Sequence, residues 1–298
     1  LTLRPWPPSR IHSSKASARP RGAVSLRRDF TRHTEISTES DTDTLRQWAA
    51  QLSDDYMPRG WERVKSSAYT RVALNRELHL YYKEYLNRSP AANLKATVRG
   101  SRATRARLNA EALLLMGFDA PHSVLWGKLP GAGEYLFTVA APGEPVDRWL
   151  RETVAARDPA QLQRRRQLLH SLGTYIGRMH ASGIIHGDLR PGNILAALMQ
   201  DQFRFTLMNN ERNSRRVPTP GRLLLRNLIQ LNMLPLADLG RTDRMRFFRA
   251  WRRQMRELSA VEAKILAAES YRRALRRLPT KPPASDSAPT VEGPGSPR

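Results

Sequence analysis

The ten residues HGDLRPGNIL, 186–195, hold an imidazole, a carboxylate, a Pro-Gly turn and a carboxamide, and then turn apolar. Transfer of a phosphoryl group asks little covalent work of a protein. It needs an acceptor hydroxyl held in line, a group to take its proton, and cations on the phosphates. A carboxylate and a carboxamide five residues apart on one loop meet part of that need. Asp188 can orient and deprotonate a hydroxyl, and Asn193 can offer its carbonyl oxygen to Mg²⁺, a hard cation that prefers oxygen. Pro191 and Gly192 turn the chain between them, and Ile194 and Leu195 anchor the loop in a core. His186 is read as a brace for the loop rather than a reacting group.

The rest of the chain must hold such a loop in place. YTRVAL and ELHLYYKEYL are short β-prone runs joined by a turn around Asn75, and they predict paired strands. SRATRARLNAEALLLMGF predicts a helix with apolar Leu108, Leu113, Leu114 and Met116 and a stop at Gly117. EYLFTVAA is again strand-like. Residues 161–180 carry Leu168, Leu169, Leu172, Tyr175, Ile176 and Met179 at three-to-four spacing, a buried-face helix. NILAA and FRFTLM predict two more strands, and helices follow from Arg222 to about Leu278. The pattern is α+β, with a sheet-rich first half and a helical second half. Residues 1–55 and 279–298 are Pro-, Ser- and Arg- or Gly-rich and predict disordered extensions flanking units at 56–141 and 142–278. The Ser/Arg-rich start is read as such an extension rather than a targeting signal, and the opening Leu1 as the mark of a fragment or an over-extended reading frame.

The 298 residues contain no cysteine, which excludes a disulfide framework, a thiolate metal site and a Cys nucleophile, and fits a reducing compartment. No apolar run approaches the roughly 18 residues of a membrane span. The formal net charge of +23 attracts polyanions: nucleic acid, anionic lipid or phosphorylated substrates. No nucleic-acid reading motif accompanies it. From Gly240 to Leu278 there are 12 Lys+Arg against 4 Asp+Glu, interleaved with Phe247, Phe248, Trp251, Leu258, Leu266 and Leu275. Such a segment reads either as an amphipathic surface for anionic lipid or as a core face backed by a solvated one.

HGDLRPGNIL resembles the catalytic loop of protein-kinase-like enzymes, His-x-Asp followed by four residues and Asn. The Gly after His and the Pro-Gly before Asn resemble the atypical branch: aminoglycoside and choline phosphotransferases, and the lipopolysaccharide core kinases of the Kdo and heptose type. RNLIQLNMLPLADLGRTDRMRFFRAWRR is similar to the C-terminal region of the lipopolysaccharide kinases, with Trp251 in place of the usual Tyr, and aminoglycoside phosphotransferases lack it. The resemblance runs from about Trp61 to Arg256. It implies a bilobal protein-kinase-like fold with a small β-rich N-lobe and a larger helical C-lobe.

It also implies ATP and Mg²⁺, with Asp188 as base and Asn193 on the metal. The phosphate lysine falls on Lys83, set in LYYKEYL with Tyr81 and Tyr85 on its face, and the helix carboxylate that pairs with it falls on Glu111. The glycine-rich turn over the phosphates is replaced by KSSAY, where Ser66 and Ser67 and the backbone could cap a phosphate. Kinases place a metal-binding Asp after the next strand, and here FTLMNNERNSRR puts Asn209 there, with Glu211 nearby. Three readings follow: an ATP-dependent kinase of a lipopolysaccharide core sugar, a small-molecule phosphotransferase, or a pseudokinase that binds without turnover. The first implies a core glycolipid acceptor and a cytoplasmic protein peripheral on the inner face of the plasma membrane. Arg241, Asp243 and Arg244 are read as a structural ion-pair network.

Overall fold

Alternating apolar residues in the first half of the chain build one antiparallel sheet. Its strands are β1 (Trp61–Val64), β2 (Thr70–Asn75), β3 (Leu80–Tyr85), β4 (Ser123–Lys128) and β5 (Glu134–Val139), in the spatial order β1-β2-β3-β5-β4. The computed structural model describes residues 39–86, 100–130, 133–155, 158–217 and 219–278. Lys83 lies mid-sheet, opposite Val72 on one side and Leu136 on the other. Strand alternation sends Tyr82 and Glu84 to one face and Lys83 and Tyr85 to the other.

Helices cover both faces. α1 (Glu39–Ser53) lays Leu45, Ala49 and Leu52 on Trp61, Tyr82, Tyr135 and Phe137. This corrects the expectation of a structureless segment to residue 55. Apolar side chains at 45, 49 and 52 recur at four and three, the minimum pattern for a one-sided helix, and Arg63 and Arg71 donate to the carbonyls of Leu52 and Ser53 at its end. The predicted extensions at 1–38 and 279–298 lie outside the described residues. α2 (Arg102–Leu115) packs on the other face through Ala103 and Ala106, against Tyr85 and Leu136. Its buried side is mostly alanine rather than leucine, and Leu108 and Leu115 are exposed. Small side chains let the helix axis approach the sheet closely. Ser101 caps it by accepting from the Thr104 N–H, and Gly117 ends it at φ +79°, the left-handed stop the sequence predicts.

The second core begins after Gly143. The two-residue strand β6 (Glu144–Pro145) pairs with β8 (Ile194–Met199), which pairs with β9 (Gln202–Leu207); β7 (Ile184–Ile185) pairs with β10 (Ser214–Arg215). Beneath them runs α3 (Pro159–Ala181), capped by Asp158, its stripe of Leu168, Leu169, Leu172, Ile176 and Met179 buried. Among the described residues three longer helices follow: α4 (Arg222–Leu231), α5 (Arg241–Gln254) and α6 (Ala260–Leu275). Gly173 and Gly177 let α3 meet α5 almost backbone to backbone; a Cβ at Gly177 would stand 2.8 Å from the Trp251 carbonyl oxygen.

The basic segment resolves into its second reading. Phe247, Trp251, Leu258 and Leu266 are buried in the lobe's core, while Arg253, Arg256, Lys264, Arg272, Arg273, Arg276 and Arg277 face solvent. Asp243 takes Arg165 at 2.9 Å and Arg246 at 3.2 Å, and Arg244 donates to the carbonyls of Asn232, Leu234 and Leu239. Asp243 and Arg244 are therefore scaffold, but only Asp243 is held by ion pairs; Arg244 is held by carbonyls, and Arg241 is exposed.

Candidate active site

The loop after β7 is fixed from beneath by buried polar groups. His186 is fully buried, and its Nδ1 accepts from the Asp188 N–H at 3.0 Å, so Nε2 carries the proton and donates to the Met208 carbonyl at 2.9 Å. Burial holds its pKa below the ordinary histidine value, and the ring is a neutral brace. Asn227, from α4, accepts from the His186 N–H at 3.0 Å and donates to the His186 carbonyl at 2.7 Å. Gln230, one turn on, accepts from the Leu189 N–H and donates to Asp188 Oδ1, both at 3.1 Å. Gly187 has no room for a Cβ, since the Arg212 side chain and backbone press against it.

A deeper layer holds Asn227. His180 Nε2 donates to Asn227 Oδ1 at 3.2 Å, and Trp251 Nε1 donates to His180 Nδ1 at 2.9 Å. Full burial pushes the His180 pKa down to about 4. The unfolded chain binds a proton there near pH 6.5 and the native one does not. The stability this contributes is therefore complete above about pH 6.5 and is lost as pH falls toward 4, a change of about 3 kcal/mol. Urea unfolding at pH 7 and pH 4.5 should show a lower midpoint in acid; equal midpoints would contradict a buried neutral ring.

Above the loop, four of the sequence-predicted residues meet in one line. Lys83 Nζ donates to Asn209 Oδ1 at 2.8 Å; Asn209 Nδ2 donates to Asn193 Oδ1 at 2.7 Å; Asn193 Nδ2 donates to Asp188 Oδ2 at 3.1 Å. The direction of this chain is set by its ends. An ammonium only donates and a carboxylate only accepts, so each amide between them must turn its oxygen toward Lys83 and its nitrogen toward Asp188. Asn209 reaches this position from a left-handed backbone, φ 60°, which asparagine tolerates better than most residues. Asp188 is further held by Arg190 at 3.1 Å, with 37% of its side chain exposed and so open to an incoming hydroxyl.

The other candidates fall differently. Glu111 pairs with Arg107 at 2.7 Å, four residues back on its own helix, which corrects the expectation that it partners Lys83. The carboxylate beside Lys83 is Glu211, at 3.7 Å, and the same group takes Arg102 at 3.6 Å. Burial alone would raise the Glu211 pKa, but Lys83, a backbone N–H of its own residue, Arg102 and Arg212 together outweigh it and hold the carboxyl below its usual range. Burial lowers that of Lys83 against the pull of Glu211. Ser66 and Ser67 lie in the β1–β2 turn, where their hydroxyls bond Thr70 O and Thr70 Oγ1 at 2.7 and 2.9 Å. Asn109 ties α2 to the same region, donating to the Asn210 carbonyl at 2.7 Å.

Asn193, Asn209, Asp188 and Glu211 present a set of oxygen donors that suits Mg²⁺. Among the described residues no group of three His, Asp or Glu could hold a metal alone. Such a partial protein shell is normal for Mg²⁺, which completes its coordination with substrate phosphates and water.

A model of the lipopolysaccharide kinase (Kdo/WaaP) family matches residues 47–251. The chain belongs to this family. Among solved structures, WaaP in complex with acyl carrier protein is similar at a TM-score of 0.52, with 21% identity, over 72% of this chain and 88% of that one. WbdD follows at 0.42, 18% identity, over 71% of this chain and 45% of WbdD. The aminoglycoside phosphotransferase APH(3'')-Id from Streptomyces rimosus follows at 0.44, 18% identity, over 76% and 97%. No curated protein matches the chain. The N-terminal sheet and helical C-terminal part are the kinase-like fold that the WaaP likeness shows.

For this kinase the loop motif singled out Asp188 and Asn193, and Glu211 was noted only beside Asn209, but three neighbours carried no assigned role: Asn227, Gln230 and Arg102. Asn227 and Gln230 stand in the QLN-containing segment that is similar to the family, so the signal was present without a chemistry attached to it. Gln230 touches Asp188 directly; with Asp188 as base it would act by positioning that carboxylate. Gln230→Leu should lower the rate constant of transfer about tenfold by freeing one carboxylate oxygen, with the KM for nucleotide unchanged. Parallel losses in both constants would count against this role.

Proposed function

We propose that this kinase transfers the terminal phosphoryl group of ATP to a sugar hydroxyl of the lipopolysaccharide core. Asp188 accepts the hydroxyl proton as the acceptor oxygen bonds to phosphorus, and the bond to the β–γ bridging oxygen breaks with its electron pair leaving on ADP. Lys83 holds the phosphates, and the β1–β2 turn with Ser66 and Ser67 lies over them. Asn193 and Asn209 would hold Mg²⁺, which when bound supplies positive charge to the phosphates. The observation that carries this reading is the unbroken line Lys83–Asn209–Asn193–Asp188, which brings a cation from the sheet to a carboxylate on the loop. Family membership supports phosphoryl transfer, and a core glycolipid is the acceptor class it favours. The exposed arginines of α5 and α6 would meet that acceptor's membrane electrostatically; no helix among the described residues is long and apolar enough to cross it.

Transfer of label from γ-labelled ATP to purified core glycolipid tests the reading, with an aminoglycoside and choline as rival acceptors. Label on the small molecules alone would move the chain to the small-molecule class. A second reading, a pseudokinase that binds nucleotide without turnover, has one observation in its favour: the line of side chains is hydrogen-bonded end to end with a neutral amide at residue 209. Nucleotide binding with no transfer to any acceptor would select it.

A further inference from the structure

Two cations beside the line from Lys83 to Asp188 share one carboxylate and one aromatic ring. Lys83 Nζ and Arg102 Nη2 approach opposite oxygens of Glu211 at 3.7 and 3.6 Å, and both stand over the Tyr85 ring, at 5.0 and 4.9 Å from its centre. Arg102 Nη1 also donates to the Tyr69 carbonyl at 3.1 Å, the last residue of the glycine-free turn between β1 and β2. The turn that should cover the phosphates is thus tied through Arg102 to the carboxylate beside the phosphate lysine. The ion pairs are long, and Glu211 Oε2 is buried without a hydrogen bond among the described residues. Two positive charges thus converge on one carboxylate while their shorter hydrogen bonds go elsewhere, Lys83 to Asn209 and Arg102 to the Tyr69 carbonyl. A phosphate chain carries more oxygens and more charge than a carboxylate, and guanidinium groups bind phosphate in bidentate fashion.

We propose that Arg102 is a second nucleotide-phosphate-binding residue of this kinase, doing from the start of α2 what a glycine-rich turn does elsewhere, with Glu211 holding both cations until the phosphates arrive. The site needs this help because KSSAY contains no glycine whose backbone could wrap a phosphate closely, and because the hydroxyls of Ser66 and Ser67 are already engaged with Thr70. An arginine reaches from the helix to both the turn and the carboxylate, whereas a lysine offers one point of charge. The inference rests on the phosphotransferase reading and adds a residue to it.

Affinities of the full chain for ATP, ADP and AMP, measured calorimetrically, test it alongside thermal midpoints. Arg102→Gln should weaken ATP and ADP about tenfold or more while AMP changes far less, since a lost charge-assisted bond to the outer phosphates is of that size. Arg102→Lys should recover part of the loss, restoring charge without the fork. Equal affinities for wild type and Arg102→Gln, or equal weakening of all three nucleotides, would overturn the assignment of Arg102 alone. A wild-type chain that binds no ATP would remove the phosphotransferase reading, and this inference with it.

Discussion

Asp188→Ala should lower phosphoryl transfer by about 10²–10⁴-fold, the range over which a positioned general base acts, with ATP affinity kept. The carboxylate is the only group of the line that combines a negative charge with an open side toward solvent: its oxygens take Asn193, Gln230 and Arg190, and 37% of the side chain is exposed. Removing it takes the acceptor from Gln230 and Arg190, while Asn193 Nδ2 keeps the Asp188 carbonyl at 2.8 Å. At a half-open position water replaces the lost partner, so the cost to stability is about 1 kcal/mol rather than the larger penalty of a sealed site. Thermal unfolding should therefore show a small shift beside a large loss of label transfer. An alanine variant with wild-type transfer would take Asp188 out of its role, and one that fails to fold would show that the loop depends on it structurally. Asp188→Asn is not a cleaner control. An amide there sets a donor either against Asn193 Nδ2 or, with its oxygen kept toward Asn193, against Gln230 Nε2 and Arg190 Nε.

The contrast between what could and could not be read in the sequence follows the range of the interactions. His186, Asp188 and Asn193 were legible because the eight residues 186–193 of one loop contain both the groups and the turn that joins them. Lys83 was legible because the resemblance asks for a lysine on a strand of the small sheet, and strand alternation fixes its face. The partner of Lys83 was not. A helix presents every face in turn, and which one meets the sheet depends on side-chain volume along it. Here Ala103 and Ala106 take the sheet, so Glu111 lies beside Arg107 and the carboxylate arrives instead from the turn after β9. The helix α1 was hidden by a polar, charged context in which Leu45, Ala49 and Leu52 are a sparse stripe, sufficient only because Trp61, Tyr82 and Phe137 wait to cover it. The basic C-terminal segment was legible as amphipathic but not in its direction, since the same pattern serves a core or a lipid surface until a partner face is known.

Asn209→Asp should make the kinase respond more strongly to Mg²⁺. The line from Lys83 to Asp188 closes without a metal because each of its two amides passes on one donor and one acceptor. An aspartate at 209 accepts well from Lys83 but has no hydrogen for Asn193. Either Asn193 keeps its oxygen toward residue 209, placing two acceptors at the 2.7 Å now spanned by a hydrogen bond, or it turns over and sets its oxygen against the Asp188 carboxylate. One acceptor–acceptor contact remains in both arrangements, and a cation between the oxygens removes it. The added charge also attracts Mg²⁺ directly. Two unit charges 4 Å apart exchange about 4 kcal/mol at an effective dielectric of 20, and a third of that is tenfold in affinity. The Mg²⁺ concentration giving half-maximal transfer, or half-maximal stabilisation by Mg-ATP, should therefore fall by about tenfold or more in the variant. The comparison is made on the Mg²⁺ response rather than on metal-free stability, where a stronger Lys83 pair offsets the acceptor contact. If the wild type is a silent binder held shut by its neutral line, the aspartate should confer transfer that the wild type lacks. An unchanged Mg²⁺ dependence would show that residue 209 does not face the metal.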